Sequence, residues 1–566
     1  MADALFKTFQ ASAMDRLAGL QQDRWSWWLH WDECAKFILP RRYRWLVTPN
    51  QFNRGSPINR MIRDNTGTLA ARVLASGMLS GISSPTRPWF KLGIEGWDQD
   101  TTNPVTLWLE QVTQRMLRVF AESNFYNSIA SVYWDLVVFG TAVMLIYEDY
   151  EDIIRCYNPC AGEYYLANSD RLFIDTLYRE MVCTIPQLIQ WFGEENCSET
   201  VRRLWRDGGA GLAQEIKVLH AIEPNTDGKW GIPIQFKWRE IYCEWGQPNE
   251  GPLMKRGFYE FPVVAPRWDI TGNDAYGRSP GMDALPDIKQ LQQETLRKGQ
   301  AIEKVVNPPM VADIQLKNQP ASMLPGGVTY VAGMTAGANP GFRAAYQIQP
   351  DLPAITADIQ DVRDRIQLTF HNDLFLMISQ LDTVRTATEI DARREEKLVL
   401  LGPVLTRLND ELLSPTIKRV FNILLRNQLL PEPPEEIQGQ PIEISYQSML
   451  HEAQAAVATT GIERLYSFVG GLSAVDPSVL DNVDNDEAVD QFANLLDVSP
   501  RIVRSRKDLA ALRAERQKQA QMDQLAQATV PAVQAAKTLS ETDVGGGQNA
   551  LSAMLSGDAL PGASPI

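Results

Sequence analysis

The sequence predicts an α+β protein in which helix predominates. Three observations predict it. Apolar residues recur at three- and four-residue spacing over the first quarter and most of the second half. A central stretch, from about 143 to 264, alternates apolar and polar residues instead. Short Pro/Gly-rich segments separate these blocks. With 566 residues the chain is too long for one simple core, and roughly two to four subdomains are expected.

The elements follow in order. Residues 1 to about 135 read mostly as helix, opening on the amphipathic "MADALFKTFQASAMDRLAGL", which has no apolar signal-peptide run. Trp25, Trp27, Trp28 and Trp31 precede Pro40 and are expected to pack in a core. Small-residue and amphipathic helices follow at Thr68–Gly81 and Val105–Ala121. The longest apolar run, "LVVFGTAVMLIY" from Leu136 to Tyr147, is too short to span a bilayer and reads as a buried helix end passing into a core strand. Antiparallel strands are expected in "VMLIYEDY", "DIIRCYN", "EYYLAN", "LFIDTLYREMV", "IKVLHAIEP", "IPIQFKWREIYCEW" and "GFYEFPVVAPRW", interrupted by one helix at Ile185–Phe192.

Two helices then flank a Pro/Gly-rich insert. The first runs from about Met282 to Val306, with Leu285, Ile288, Leu291, Thr295, Gly299, Ile302 and Val306 on one face and Pro286 in its first turn. The insert covers 307–350. The second helix covers 351–379, with Ile355, Ile359, Val362, Ile366, Phe370, Leu374 and Met377 recurring. A break at 380–385, "QLDTVR", precedes a long helix over 386–430 that starts on the capping-box pattern Thr386-x-x-Glu389 and is expected to kink at Gly402-Pro403 and Ser414-Pro415. Residues 431–535 are again largely helical after a Pro/Glu-rich linker, and the composition of 536–566 predicts disorder.

The chemistry is sparse. Gly277-Arg278-Ser279-Pro280-Gly281 fits the G-x-S-x-G pattern of a hydrolase nucleophile elbow. Such an elbow uses the N–H after the serine in its oxyanion hole, and Pro280 has none. None of the four histidines (His30, His220, His371, His451) has a triad context, so the stretch reads as a rigid turn and Ser279 as structural. No phosphate loop, dinucleotide fingerprint or HExxH is present, and no cofactor or metal is expected. The six cysteines (34, 156, 160, 183, 197, 243) lack zinc-ligand spacing and read as reduced core thiols of a cytosolic product. A net charge of −15 argues against a strong general grip on DNA, which needs a basic face to neutralise phosphates.

Several segments resemble the head-to-tail connector, or portal, proteins of short-tailed bacteriophages. They are "LASGMLSGISSPTRPWFKL" (74–92), "FGTAVMLIYED" (139–149), "GEYYLAN" (162–168), "AYGRSPGMDALPDIKQLQQ" (275–293) and "RTATEIDARREEKLVLLGPVLTRLNDELLSPTIKRVFNIL" (385–424). The resemblance implies a ring, usually of twelve copies, at one capsid vertex. Double-stranded DNA passes non-specifically through its bore during packaging and ejection. The implied partners are the terminase large subunit, tail adaptor and tail proteins, and the major capsid and scaffolding proteins; no membrane is involved. It also implies a portal-type subunit: an α/β wing (1–280), a two-helix stem (281–306 and 351–379), a small α/β clip (307–350), a channel loop (380–385), a long kinked wing helix (386–430) and a helical crown (431–535). The location implied is the virion's portal vertex, after synthesis in the host cytoplasm.

On this resemblance the candidates to meet DNA in the channel are Lys289, Arg297, Lys298, Lys304 and the loop Gln380, Leu381, Asp382, Thr383, Val384 and Arg385. The other reading for each cation is a solvated surface or an ion pair between subunits. Between Arg501 and Gln519 seven cations stand against Asp508 and Glu515, making Arg504, Arg506 and Arg513 candidates to face DNA in the crown. A different phage ring or adaptor protein is the main alternative, and a serine hydrolase the remote one.

Overall fold

The computed structural model describes residues 2–42, 59–94, 104–228, 230–246, 251–308, 310–312, 342–344, 349–373, 402–434, 442–446, 461–472, 479, 482–495, 506–541 and 555. Two compact units are distinguished.

The larger unit spans 1–92, 111–432 and 444–454. Its N-terminal part is helical: α1 (Ala2–Phe37), α2 (Thr66–Ile82), then, after the short strand β1 (Phe90–Ile94), α3 (Pro104–Glu122, whose first turns belong to the smaller unit) and α4 (Phe125–Phe139). Gly140, in the left-handed region at φ +74, ends α4 by returning its N–H to Leu136 O at 2.9 Å. The apolar run from 136 to 147 therefore divides as predicted: α4 closes and β2 (Met144–Asp149) follows, both buried.

The alternating stretch forms two antiparallel sheets. The smaller has the order β3-β2-β9, with β3 at Ile153–Tyr157 and β9 at Val263–Val264. The larger has the order β4-β5-β6-β7-β8: Tyr164–Asn168, Ile174–Thr184, Glu215–Pro224, Trp238–Glu244 and Met254–Phe258. Each strand pairs with the next in sequence, which is what period-two patterning with short turns produces. Ala13, Leu17 and Leu20 of α1 cover one face, against Tyr165, Tyr178, Leu219 and Ile241. A second cluster joins Ile185, Leu188 and Phe192 of α5 (Ile185–Phe192) and Val201 of α6 (Glu199–Asp207) to Cys183, Val218 and Tyr242 of the sheet. α5 matches the sequence expectation; α6 was not anticipated.

A buried polar layer joins the two sheets. Tyr147 of β2 donates to Glu240 Oε1 of β7 at 2.7 Å, and His220 Nε2 lies 2.9 Å from the same oxygen. His220 also stacks on Tyr242, with ring centroids 4.1 Å apart. Burial lowers the basicity of the imidazole despite Glu240.

α7 (Pro280–Val306) and α8 (Leu352–Thr369) pack together, and the ends of the insert between them pair as β10 (Met310–Ala312) with β11 (Phe342–Ala344). After 402–408, which is helical, a π turn at Asn409–Leu413 leads into α9 (Ser414–Arg426). The Ser414 N–H reaches back five residues to Asn409 O. The π turn thus comes where Pro415 has no N–H to give, and it directs Glu411 onto buried Arg267 at 2.5 Å.

The smaller unit comprises 93–110, 433–443 and 455–566. After β12 (Ile442–Tyr446, at its edge), its described helices are α10 (461–472), α11 (Asn485–Leu495) and α12 (Arg506–Glu541).

Four expectations need correction. α7 begins at Pro280, so Pro286 stands inside the helix rather than in its first turn. α8 closes at Thr369, where Phe370 caps it and His371 adopts φ +51, so the stretch expected as one helix is interrupted there; 372–373 are helical again and 374–379 lie outside the described residues. α12 runs to Glu541, past the expected start of disorder at 536. Of the tryptophans, Trp31 is fully buried and donates to Phe139 O at 2.9 Å, but Trp25 is 63% exposed. Cys34, Cys156, Cys183, Cys197 and Cys243 are buried free thiols and Cys160 is half-buried; burial pushes Cys34 up to about 12.

Candidate channel-forming helices

The turn before α7 is built by backbone lying on backbone. Residues 276–281 rest against 137–141, the end of α4. Gly277 N donates to Thr141 Oγ1 at 2.7 Å, and Trp268 N donates to Gly140 O at 2.9 Å. A Cβ on Gly140 would stand 2.1 Å from Gly277 O, and one on Gly277 would stand 2.5 Å from Gly140 O. The glycines are there because the two chains touch. Tyr276 is buried, accepts Leu166 N at 2.9 Å and meets Trp31 edge-on at 5.3 Å between ring centroids.

Ser279 closes this turn. Its hydroxyl donates to Val138 O at 2.8 Å and accepts Met282 N at 3.0 Å. It is fully buried and caps α7, while Pro280 occupies a first-turn position where its missing N–H costs nothing. Both hydroxyl bonds serve the fold. Ser279 is structural, as the sequence predicts, and its specific role is that of a cap.

Beyond the turn, α7 is gripped by the body. Leu285, Ile288 and Leu291 are buried, and Gly67 of α2 leaves room for Ile288, whose Cδ1 would lie 2.8 Å from a Cβ there. α8 runs back alongside: Arg365 reaches Asp287 at 3.2 Å, and Lys298 reaches Thr356 at 2.9 Å. Ile359, Val362 and Ile366 are its buried residues. At the outer end the pattern changes. Ile302, Val305 and Val306 are 40%, 49% and 77% exposed. The apolar face read along the whole helix is buried only in its inner half.

A polar hub marks the change. Gln292 of α7 is buried; its Oε1 accepts Arg63 N at 2.6 Å and Asp64 N at 2.9 Å, and its Nε2 donates to Asp64 O at 2.8 Å. The Asp64 carboxylate accepts Thr66 N at 2.9 Å and Arg363 of α8 at 2.6 Å. Burial alone would raise this carboxyl, but the bonds from Thr66 and Arg363 outweigh it and hold it below the usual range. No sequence pattern marks these three residues; Gln292 reads as one polar position among many.

The channel candidates are dispersed. Lys289 turns to α1, pairing with Glu33 at 2.7 Å with its ammonium 5.8 Å from the Phe37 ring. Lys298 is tied to Thr356 across the helix pair. Arg297 bonds Gln300 of its own helix at 3.0 Å, and Lys304 is exposed in the last turn. Gln380, Leu381, Asp382, Thr383, Val384 and Arg385 lie outside the described residues, as does Arg504. Arg506 opens α12. Arg513 is neutralised locally by Asp486 of α11 through two bonds of 2.6 and 2.7 Å.

A family model described as bacteriophage head to tail connecting protein matches residues 10–503. The chain belongs to that family. Within it, the chain is 42% identical over 540 residues to the portal protein of Salmonella phage epsilon15, covering 95% of this chain and 96% of that one. It is 39% identical over 541 residues to the probable portal protein of Bordetella phage BPP-1, with the same coverages. A solved chain from the virion of a native gene transfer agent particle aligns with a TM-score of 0.32 and 13% identity, over 74% of this chain and 96% of that one, too distant to carry an argument. As a connector-family chain, its mixed helix and strand composition agrees with the α+β expectation. Among the described residues, no helix is long and apolar enough to cross a membrane, and no group of metal-binding side chains occurs.

Proposed function

We propose that this chain is a phage portal protein: copies of it form a ring at one capsid vertex through which double-stranded DNA is packaged and later ejected. The observation that carries the reading is the match, along almost the whole chain, to two proteins named as portals or probable portals. The helix pair suits such a ring. α7 leaves the body through a turn that glycine contacts and a serine cap hold rigid, and it ends in exposed apolar residues that a neighbouring copy would cover. The overall acidity suits a conduit, because a bore that neutralised many phosphates would hold DNA instead of letting it slide.

In this reading α7 and α8 are the stem, 307–350 is the clip that docks the terminase large subunit and then the tail proteins, and 380–385 is the loop that narrows the bore. The scaffolding and major capsid proteins meet the wing, and the helices of 431–535 form the crown inside the head. Of the described channel cations, Lys304 and Arg297, whose bond to Gln300 stays within its own helix, are the ones left for passing phosphates, since Lys289 and Lys298 are tied to other helices of the protomer. The chain is a structural component that catalyses no reaction and resides in the virion. Electron microscopy of the purified full-length protein tests the reading: a wide ring with a central hole, twelve-fold, is expected. A compact particle without a hole would overturn it.

A further inference from the structure

The hub at Asp64 ties three helices at one level of the fold. Gln292 of α7 holds the 63–64 backbone with three hydrogen bonds, and Arg363 of α8 holds the Asp64 carboxylate at 2.6 Å. The other carboxylate oxygen accepts both the N–H and the hydroxyl of Thr66, the first residue of α2. Inside this level α7 and α8 are packed on the body by Leu285, Ile288, Leu291, Val362 and Ile366. Outside it, from Gln293 to Val306, no α7 residue is buried, and neither is any α8 residue from Leu352 to Asp358.

This is the geometry of an arm on a pivot. The fourteen residues beyond Gln292 span about 21 Å at about 1.5 Å per residue, so a tilt of about 10° at the hub moves the tip by about 4 Å. Apolar packing at the root resists separation but is non-directional; hydrogen bonds with fixed donors and acceptors select one angle. The hub supplies five such bonds between the 63–64 segment and the two helices: three through Gln292 and two from the Arg363 guanidinium.

We infer that Gln292, Asp64 and Arg363 are positioning residues that set the aim of the outer half of the α7–α8 pair, and through it the width of the bore. The inference about the bore rests on the channel reading above; the inference about the arm does not. Asp64 has a second task, capping α2 through Thr66, and the two tasks are separable. Gln292→Met and Arg363→Met release the arm and leave the α2 cap, whereas Thr66→Ala weakens the cap and leaves the arm tied.

Nitroxide labels at Tyr150→Cys on the body and Lys304→Cys on the arm, in full-length chain diluted with unlabelled chain, report the arm's position as a distance distribution. The expected result is a distribution at least twice as wide in Gln292→Met, an intermediate width in Arg363→Met, recovery in Arg363→Lys, and no change in Thr66→Ala. Should Gln292→Met fail to fold, the partly exposed Arg363 decides through its own variant. Unchanged widths in the Arg363 and Gln292 variants would overturn the pivot. Equal broadening in Thr66→Ala would also overturn it, by showing that the hub acts through α2. Phage carrying Arg363→Met should assemble rings but yield severalfold fewer filled heads. An arm that swings in the labelled protein while heads fill and hold normally would leave the pivot standing and sink the assignment of α7 and α8 to the channel.

Discussion

The two ends of α7 are built on opposite principles. At its root, backbone touches backbone, glycines stand where no side chain fits, and each polar atom of Ser279 has a partner within the protomer. At its tip, Ile302, Val305 and Val306 lie open to solvent. The root is complete in a single chain; the tip is not. An exposed cluster of branched apolar residues at the end of a long helix is expensive to leave uncovered. The difference teaches that the protomer fixes direction at the root; on the ring reading proposed above, the tip is left for a neighbouring copy to cover.

The root should break first and hardest. In Gly140→Ala the new methyl would meet Gly277 O at 2.1 Å, and the residue would keep a left-handed backbone at φ +74. Neither chain can withdraw, since Gly277 N is bonded to Thr141 and Trp268 N to Gly140 O. A loss of more than about 4 kcal/mol is expected, seen as insoluble protein or a collapse of the urea midpoint. Gly299→Ala, on the same helix toward the tip and with nothing within 4 Å, is the control and should be neutral or slightly stabilising.

The second test concerns the wall on which the root rests. Asp135, in the last turn of α4, is fully buried beside Arg42, whose Nε is 3.1 Å away. Burial raises its carboxyl to about 6, with Arg42 opposing. A carboxyl held higher in the folded than in the unfolded chain binds its proton more tightly when folded. Its contribution is therefore fully present below the unfolded value near 4 and is lost as pH rises through about 6. Between pH 5 and 7.5 this removes about 1.4 kcal/mol. Asp135→Asn should flatten the urea stability profile over that window by about this amount relative to the wild type. Parallel profiles would show that Asp135 keeps an ordinary acidity. Asp64, held low by its partners, has the opposite slope: its contribution is present above the unfolded value and is lost as pH falls.

Ser279→Ala is of similar size to the Asp135 effect. It removes one cap bond and leaves Val138 O without the hydroxyl, so about 1–2 kcal/mol is expected. The helix should start later, with faster amide exchange at Met282 and Asp283. Unchanged stability would mean that water replaces the hydroxyl and the cap contributes nothing.

The same division explains what could be read from sequence. The root was legible in part because its chemistry is local: Gly277-Arg278-Ser279-Pro280-Gly281 reads as a rigid turn, but the helix was expected from about Met282, and the cap by Ser279 was not foreseen. The larger sheet was legible because its pairing is sequential; the pairing of β2 with β9, between residues 144 and 264, was not. The hub was not, since Gln292 and Asp64 are 228 positions apart and neither stands in a pattern. The interruption of α8 at 370–371 was missed for a related reason. The spacing Ile359, Val362, Ile366, Phe370, Leu374 continues past the point where His371 turns left-handed, and spacing reports which face is apolar, not where the chain bends. The kink expected at Ser414-Pro415 marks the place beside which the π turn at 409–413 lies, but its ion pair with Arg267, far off in sequence, was hidden. Of the site candidates, Lys289 looked like any other exposed helical lysine, and only Glu33 of α1, far off in sequence, turns it away from the outer arm.

The smallest effect should come from the tip. Val306→Ser removes an apolar side chain that is already 77% exposed, and Ile302→Ser one that is 40% exposed. Little buried area is lost at Val306, so its substitution should change the unfolding free energy of the monomer by no more than about 0.5 kcal/mol, whereas Ile302, more than half covered, should cost about 1 kcal/mol or more. In a ring the same residues would be covered, and fully burying a Val or Ile side chain contributes about 1.5–3 kcal/mol. Val306→Ser should therefore leave thermal unfolding of the monomer almost unmoved while shifting ring assembly to severalfold higher protein concentration, measured by light scattering or sedimentation. The ratio of the two effects is the informative quantity. A tip that costs the monomer as much as the ring would be packed on its own body, and the contrast between the two ends of α7 would disappear. A tip that costs neither would be open in the assembly too, and the neighbouring copy would have to grip the stem elsewhere.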